Sequence, residues 1–210
     1  MKAKWNVLGA ALAMLVMSGC ASKSSEECMV TDWSAVGYED GARGYTADRF
    51  SNHRKACAKH GIATDFSAWQ QGRERGLVEY CQPGRGFNVG VSGGRYYGVC
   101  SVELEADFLD AYNAGHHLYT LRSNVNRANS AINNKERELE TVEGKIRSKE
   151  ASLIDRETTT EQRILLLADL KDLSERTGTL EAEIRDLYAD RARYQAELEN
   201  YQAAVAHYSY

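Results

Sequence analysis

"LKDLSERTGTLEAEIRDLYADRARYQAELENYQAAVAHY" occupies residues 170–208, and its spacing decides the architecture. Leu170, Leu173, Thr177, Leu180, Ile184, Leu187, Arg191, Tyr194, Leu198, Tyr201, Val205 and Tyr208 follow one another by three and four residues. That alternation draws one stripe along a helix, the pattern of a coiled-coil seam. Upstream, Leu118, Val125, Ile132, Leu139, Ile146 and Leu153 recur every seven residues, with Leu121, Ala128 and Val142 as companions. Glu143–Arg147, Asp172–Arg176 and Glu181–Arg185 add i,i+4 pairs outside the seam.

The two stripes are out of phase. The first register continued would use 167 and 174, whereas the second uses Leu166 and Leu173. The break falls between Leu153 and Leu166, across "DRETTTEQ" (155–162). Three successive threonines weaken a helix there. Thr158 with Glu161, or Thr159 with Gln162, offers a capping box for a new start. The expectation is an antiparallel helical hairpin over 118–210 with its turn near 155–162. Tyr194, Tyr201 and Tyr208 then return to the base beside Leu118 and Leu121. No Gly or Pro forces the turn, so one continuous helix in a parallel dimer or trimer is the rival.

Upstream of residue 118 the composition changes. Of 17 glycines only Gly144 and Gly178 lie beyond His117, and the cysteines end at Cys100. Residues 28–117 therefore read as a separate Gly-, aromatic- and Cys-rich module. Three stretches in it share a pattern: "DWSAVGYEDG" from Asp32, "DFSAWQQG" from Asp65 and "DFLDAYNAG" from Asp107. Each reads as an N-cap Asp, a helical turn, then an aromatic three residues before a glycine. Between the last two, Phe87–Val91 and Arg95–Val99 are short strand candidates around Ser92-Gly93-Gly94, a hairpin turn signal. "GRGFNVG" (84–90) has the glycines of a phosphate loop but lacks its Gly-Lys-Ser ending.

The N-terminus indicates location. Lys2 and Lys4 precede a 13-residue run, Trp5–Met17, in which only Asn6 is polar. That is too short for a bilayer span and suits a signal-peptide core. It ends Met17-Ser18-Gly19-Cys20, which resembles the lipobox of bacterial lipoproteins, with Met17 in place of the usual Leu. The resemblance implies removal of residues 1–19, acylation of Cys20 (a palmitate-type anchor) and a short tether over 20–27. Ala21, not Asp, follows the cysteine, which implies sorting to the outer membrane of a Gram-negative cell, facing the periplasm. Without residues 1–19 the 26 basic residues lose Lys2 and Lys4 and face 30 acidic ones, a net charge of −6. That balance argues against nucleic acid.

Cys28, Cys57, Cys81 and Cys100 form an even set in an exported chain and read as two disulfides. Four cysteines allow three connectivities. Cys81–Cys100 with Cys28–Cys57 is favoured because the first pair brackets the expected β-hairpin.

Taken in order, "GYEDGARG", "WQQGRERGLVEYC", "QPGRGFNVG" and "YYGVC" resemble the domain-of-unknown-function 2799 family of proteobacterial envelope lipoproteins, over about residues 28–121. The resemblance implies an envelope location and a mainly helical fold, and it implies no activity. The expected fold class is thus mainly α: a disulfide-stapled helical module with a short β-hairpin, then a long coiled-coil hairpin.

No chemistry stands out. His53, Cys57 and His60 share a helix face at i, i+4 and i+7, a possible metal geometry. The even cysteine set assigns Cys57 to a disulfide instead, so no metal ligand is named. His116 and His117 diverge on a helix. A carboxylate pair such as Glu74 with Asp40 has nothing to select it. No catalytic residue and no cofactor is assigned. The functional expectation is a non-enzymatic spacer or interaction arm, anchored to the membrane through Cys20. Its partner is an envelope protein or the cell wall. The alternative is a small-ligand or cell-wall binder, or an envelope enzyme, working through the Cys-rich module.

Overall fold

The computed structural model describes residues 24–206; Cys20, the signal region, His207 and Tyr208 lie outside the described residues. Seven helices make up the described chain: α1 (Ser25–Val30), α2 (Trp33–Ala42), α3 (Arg49–Ala58), α4 (Phe66–Tyr80), α5 (Pro83–Val91), α6 (Val102–Ile154) and α7 (Thr160–Val205). The fold is mainly α.

Side-chain caps start several of them. Ser24 and Glu27 form a capping box on α1, so the expected tether gives way to helix three residues early. Asp32 accepts from the backbone N–H groups of Ser34 and Ala35, and Asp65 from that of Ala68. Asp107, the third expected cap, lies inside α6, which begins after Ser101.

The module is built around two helix pairs, each held by glycines. A methyl group at Gly37 would sit 1.9 Å from the Trp69 carbonyl oxygen, and one at Gly41 2.2 Å from that of Arg73. Conversely, Gly72 abuts Ser34 and Gly76 abuts Tyr38. Residue numbers rise together along the contact, so α2 and α4 run parallel, backbone against backbone. The second pair repeats the geometry. Gly86 abuts Phe108, Gly90 abuts Tyr112 and His116, and Gly115 abuts Phe87 and Val91. Helices α5 and the first turns of α6 therefore also run parallel.

The ends match too. Gly44 (φ 73°) and Gly93 (φ 71°) end α2 and α5. In each case the glycine N–H bonds three residues back and the following N–H five residues back, the Schellman arrangement that left-handed glycine permits. Tyr80 covers Gly44 and Tyr119 covers Gly93. A disulfide closes each pair: Cys28–Cys57 before α2 and at the end of α3, Cys81–Cys100 before α5 and α6.

The expected β-hairpin is absent among the described residues. Phe87–Val91 belongs to α5, and residues 95–99 form an irregular return segment. Pro83 occupies the first turn of α5, where its missing N–H costs nothing. Gly86 and Gly90 disfavour helix locally, but their lack of a Cβ is what admits the α6 backbone. Ser92-Gly93-Gly94 is a helix stop, not a strand turn.

Helix α6 runs 53 residues, about 80 Å, unbroken through the expected module boundary at residue 118. Helix α7 runs 46 residues back. The two form the antiparallel hairpin: Lys135 pairs with Glu183 at 2.7 Å, Arg176 with Glu138, and Lys149 with Asp169. Ile132, Val142, Leu180 and Leu198 are buried in the seam. At the turn, Thr159 and Gln162 form the capping box. Arg163 donates to the carbonyls of Leu153 and Asp155, covering the end of α6 with a cation. That clamp closes the turn without glycine or proline. At the base, Leu118, Leu121 and Leu198 cluster with Phe87, Val91 and Tyr201, and the Tyr201 hydroxyl donates to the Ala114 carbonyl at 3.0 Å. The arm is thereby fastened to the second helix pair.

Candidate functional site

Three places carry chemistry or exposed surface: a buried carboxylate in the first pair, a shallow aromatic groove above it, and the tip of the arm.

Among the described residues Asp40 is the buried charged side chain, 5% exposed. It follows from the helix face that holds Gly37, Gly41 and Gly44, which α2 presses onto α4. Its Oδ2 accepts from the Trp69 indole N–H at 3.0 Å and lies 2.8 Å from His53 Nε2. Arg49 Nε stands 3.7 Å from Oδ1, with its guanidinium 4.8 Å from the Tyr45 ring centre. Arg73 donates from Nε to the Tyr45 carbonyl at 2.9 Å. Burial lowers the Arg73 pKa, while the negative charge of Asp40 works against that shift. The centre thus ties α2, α3 and α4 together through one carboxylate, each partner lying within the module.

The residues singled out in the sequence are placed as follows. Cys57 is fully buried in its disulfide, and His53 turns to Asp40. Among the described residues no group of three His, Cys, Asp or Glu side chains converges as a metal set. Glu74 is exposed and accepts from Gln70, whereas Asp40 is buried. His116 stacks between Tyr112 and Tyr119, and His117 meets the Tyr201 ring edge-on at 4.5 Å. The 84–90 run is helix packed on α6, so Gly86 and Gly90 serve packing and no phosphate loop forms. In sequence, nothing in "EDG" marks Asp40 as a buried centre, because the tripeptide has the composition of a turn. Its place on the glycine face, three after Gly37 and one before Gly41, is the available signal.

Above the carboxylate, Phe50, Phe66 and Trp69 pack ring to ring, and Phe66 stays half exposed. Ser51, Arg54 and Thr64 complete a shallow groove with Phe50 and Phe66.

The corresponding position in the second pair is apolar. Where Asp40 and Trp69 stand in the first pair, Val89 and Phe108 stand in the second, packed with Tyr80 and Tyr96. Tyr96 donates to Glu105 and accepts from the Cys100 N–H; burial pushes both Tyr80 and Tyr96 upward in pKa.

This glycine-zipped module coincides with a family match: residues 32–117 fit the model described as protein of unknown function (DUF2799). Residues 32–117 are a DUF2799 domain. The match stops one residue before Leu118, the first buried leucine of the arm's base. No curated protein and no solved structure matches the chain. The DUF2799 domain therefore comprises both helix pairs, and the arm continues from its last helix.

At the far end of the arm, Ile154, Ile164, Leu165 and Leu167 are 81%, 63%, 68% and 55% exposed. Leu165 and Leu166 line a groove there with Ser152, Thr158, Gln162 and Asp169. Among the described residues no helix is long and apolar enough to cross a membrane.

Proposed function

We propose that this chain is a lipoprotein, anchored to the outer membrane through Cys20 and facing the periplasm, that works without catalysis as a spacer or interaction arm. The observation that carries the reading is the hairpin itself. A self-contained pair of helices leaves the DUF2799 domain and ends in an apolar tip. Its seam buries its own leucines and its flanks mix both charge signs, so contact with an envelope protein or the cell wall falls to the tip or the domain. The anchor rests on the Ser18-Gly19-Cys20 motif. Cys20→Ala should leave the chain unprocessed and free of acyl label. Deleting residues 140–170 should shorten the arm and abolish crosslinking to its partner in intact envelopes, with the domain still folded. Undiminished function after that deletion would move the activity into the domain.

A second reading has its own observation, the half-exposed Phe66 over the Phe50–Arg54–Thr64 groove. It makes the domain a small-ligand or cell-wall binder. Phe66→Ala should then lower retention on purified cell-wall sacculi, whereas the arm deletion should leave it unchanged.

A further inference from the structure

Helix α7 carries two stripes near its start. Arg163, Leu166, Leu170 and Leu173 face α6 and are partly covered. Glu161, Ile164, Ala168 and Lys171 follow the same 3-4-3 spacing on the opposite face and are exposed. With Leu165 and Leu167 on its flanks, the helix is apolar all the way round from 164 to 168. A helix apolar on every side is one that is covered on every side. The other large exposed hydrophobic residue of α7 is Tyr188, whose hydroxyl donates to Glu136 at 2.7 Å. The tip has no such polar outlet.

We propose that this second stripe docks a second copy of the same chain, α7 antiparallel to α7, about a two-fold axis level with residue 166. The charges select that arrangement. In an antiparallel pair the residues before the centre of one helix meet those after the centre of the other. Glu161 then meets Lys171 of the second copy, and symmetry makes that pair twice. Ile164 packs on Ala168 of the second copy, whose small side chain lets the helices approach. Leu165 lies beside its own symmetry mate on one flank and Leu167 on the other. A parallel pair would set Glu161 against Glu161 and Lys171 against Lys171. A lipid surface would meet Glu161, Asp172 and Glu175 around the same patch. Lys171 is free to exchange, since its 3.6 Å contact with Glu175 is exposed on both sides and contributes little.

The two arms then overlap only at their tips, and the two DUF2799 domains stand about 100 Å apart. The contact is short, so the association is weak and favoured by local concentration. This deepens the arm reading by naming its partner.

The test uses the full chain in intact envelopes. Leu165→Cys should give an oxidised dimer, and the exposed control Thr179→Cys should not. Glu161→Lys or Lys171→Glu, each added to Leu165→Cys, should slow dimer formation about tenfold by replacing two attractive pairs with two repulsive ones. The combined Glu161→Lys/Lys171→Glu swap should restore it. Residues 161, 165 and 171 are all exposed, so folding is not at stake. No dimer with Leu165→Cys, or no recovery in the swap, overturns the second copy. If partner crosslinking still vanishes with residues 140–170 in that event, the arm reading stands and its partner is a different protein.

Discussion

The two helix pairs of the DUF2799 domain share a scaffold and differ at its centre. Both set parallel helices backbone to backbone across glycines, end the first helix at a left-handed glycine under a tyrosine ring, and close with a disulfide. The first pair fills its centre with Asp40, His53 and Trp69; the second with Val89, Tyr96 and Phe108. The scaffold thus does not depend on the chemistry of its filling. Close backbone approach sets the geometry, and the filling decides whether the interior holds a charge. The second pair, whose centre holds no buried charge, is the one that carries the arm.

The largest effect should come from breaking the shared scaffold. Gly37→Ala and Gly90→Ala each press a methyl group into a carbonyl oxygen, at 1.9 and 2.2 Å. Both should destabilise the domain by about 4 kcal/mol, at the upper end for single substitutions. Gly178→Ala in α7, with nothing near it, should instead stabilise the arm by up to about 1 kcal/mol. Thermal melts under non-reducing conditions read all three. A mild Gly90→Ala would mean that the pairs are not held alike.

Next come the staples. Removing either disulfide should cost about 3 kcal/mol. Cys28–Cys57 spans 29 residues and Cys81–Cys100 spans 19, so the first should cost slightly more. Denaturant melts of Cys28→Ser/Cys57→Ser and Cys81→Ser/Cys100→Ser give the ranking. A reversed order would point to structure retained in one unfolded loop.

The third test makes the first centre resemble the second. Asp40→Val strands the Trp69 N–H and should cost about 2 kcal/mol. Adding Trp69→Phe removes that donor, so the double variant should cost less than the two changes summed, by about 1 kcal/mol. Strict additivity would show that the buried bond contributes nothing to the first pair.

The smallest effect separates both pairs from the arm. Hydrogen bonding from Arg176 holds the Glu138 carboxyl below its ordinary range. A carboxyl lowered in the folded state adds stability above its unfolded pKa, and that stability is lost as pH falls through the folded value. Glu138→Gln should therefore lower the arm's melting temperature slightly at pH 7. The difference from the unaltered chain should shrink as pH falls below the ordinary carboxylate range. A gap that persists in acid would assign the loss to packing.

The sequence by itself determined whatever repeats along one helix. The 3-4 stripes placed the arm, and the phase shift between Leu153 and Leu166 located its turn, because a buried face must recur with the helical period. The favoured cysteine pairing holds as well, although the β-hairpin invoked for it does not exist. Glycine was the obstacle. Locally, Gly86 and Gly90 argue against helix, and only a neighbouring backbone reverses that preference. Their i,i+4 spacing, shared with Gly37–Gly41 and Gly72–Gly76, is the sign that such a neighbour exists. Tertiary structure alone decided which helices approach, that each pair runs parallel, and that Asp40 lies inside. It also settled the hairpin over the continuous helix, through Arg163 closing on the end of α6. These are contacts between residues distant in the chain, and no local propensity encodes them.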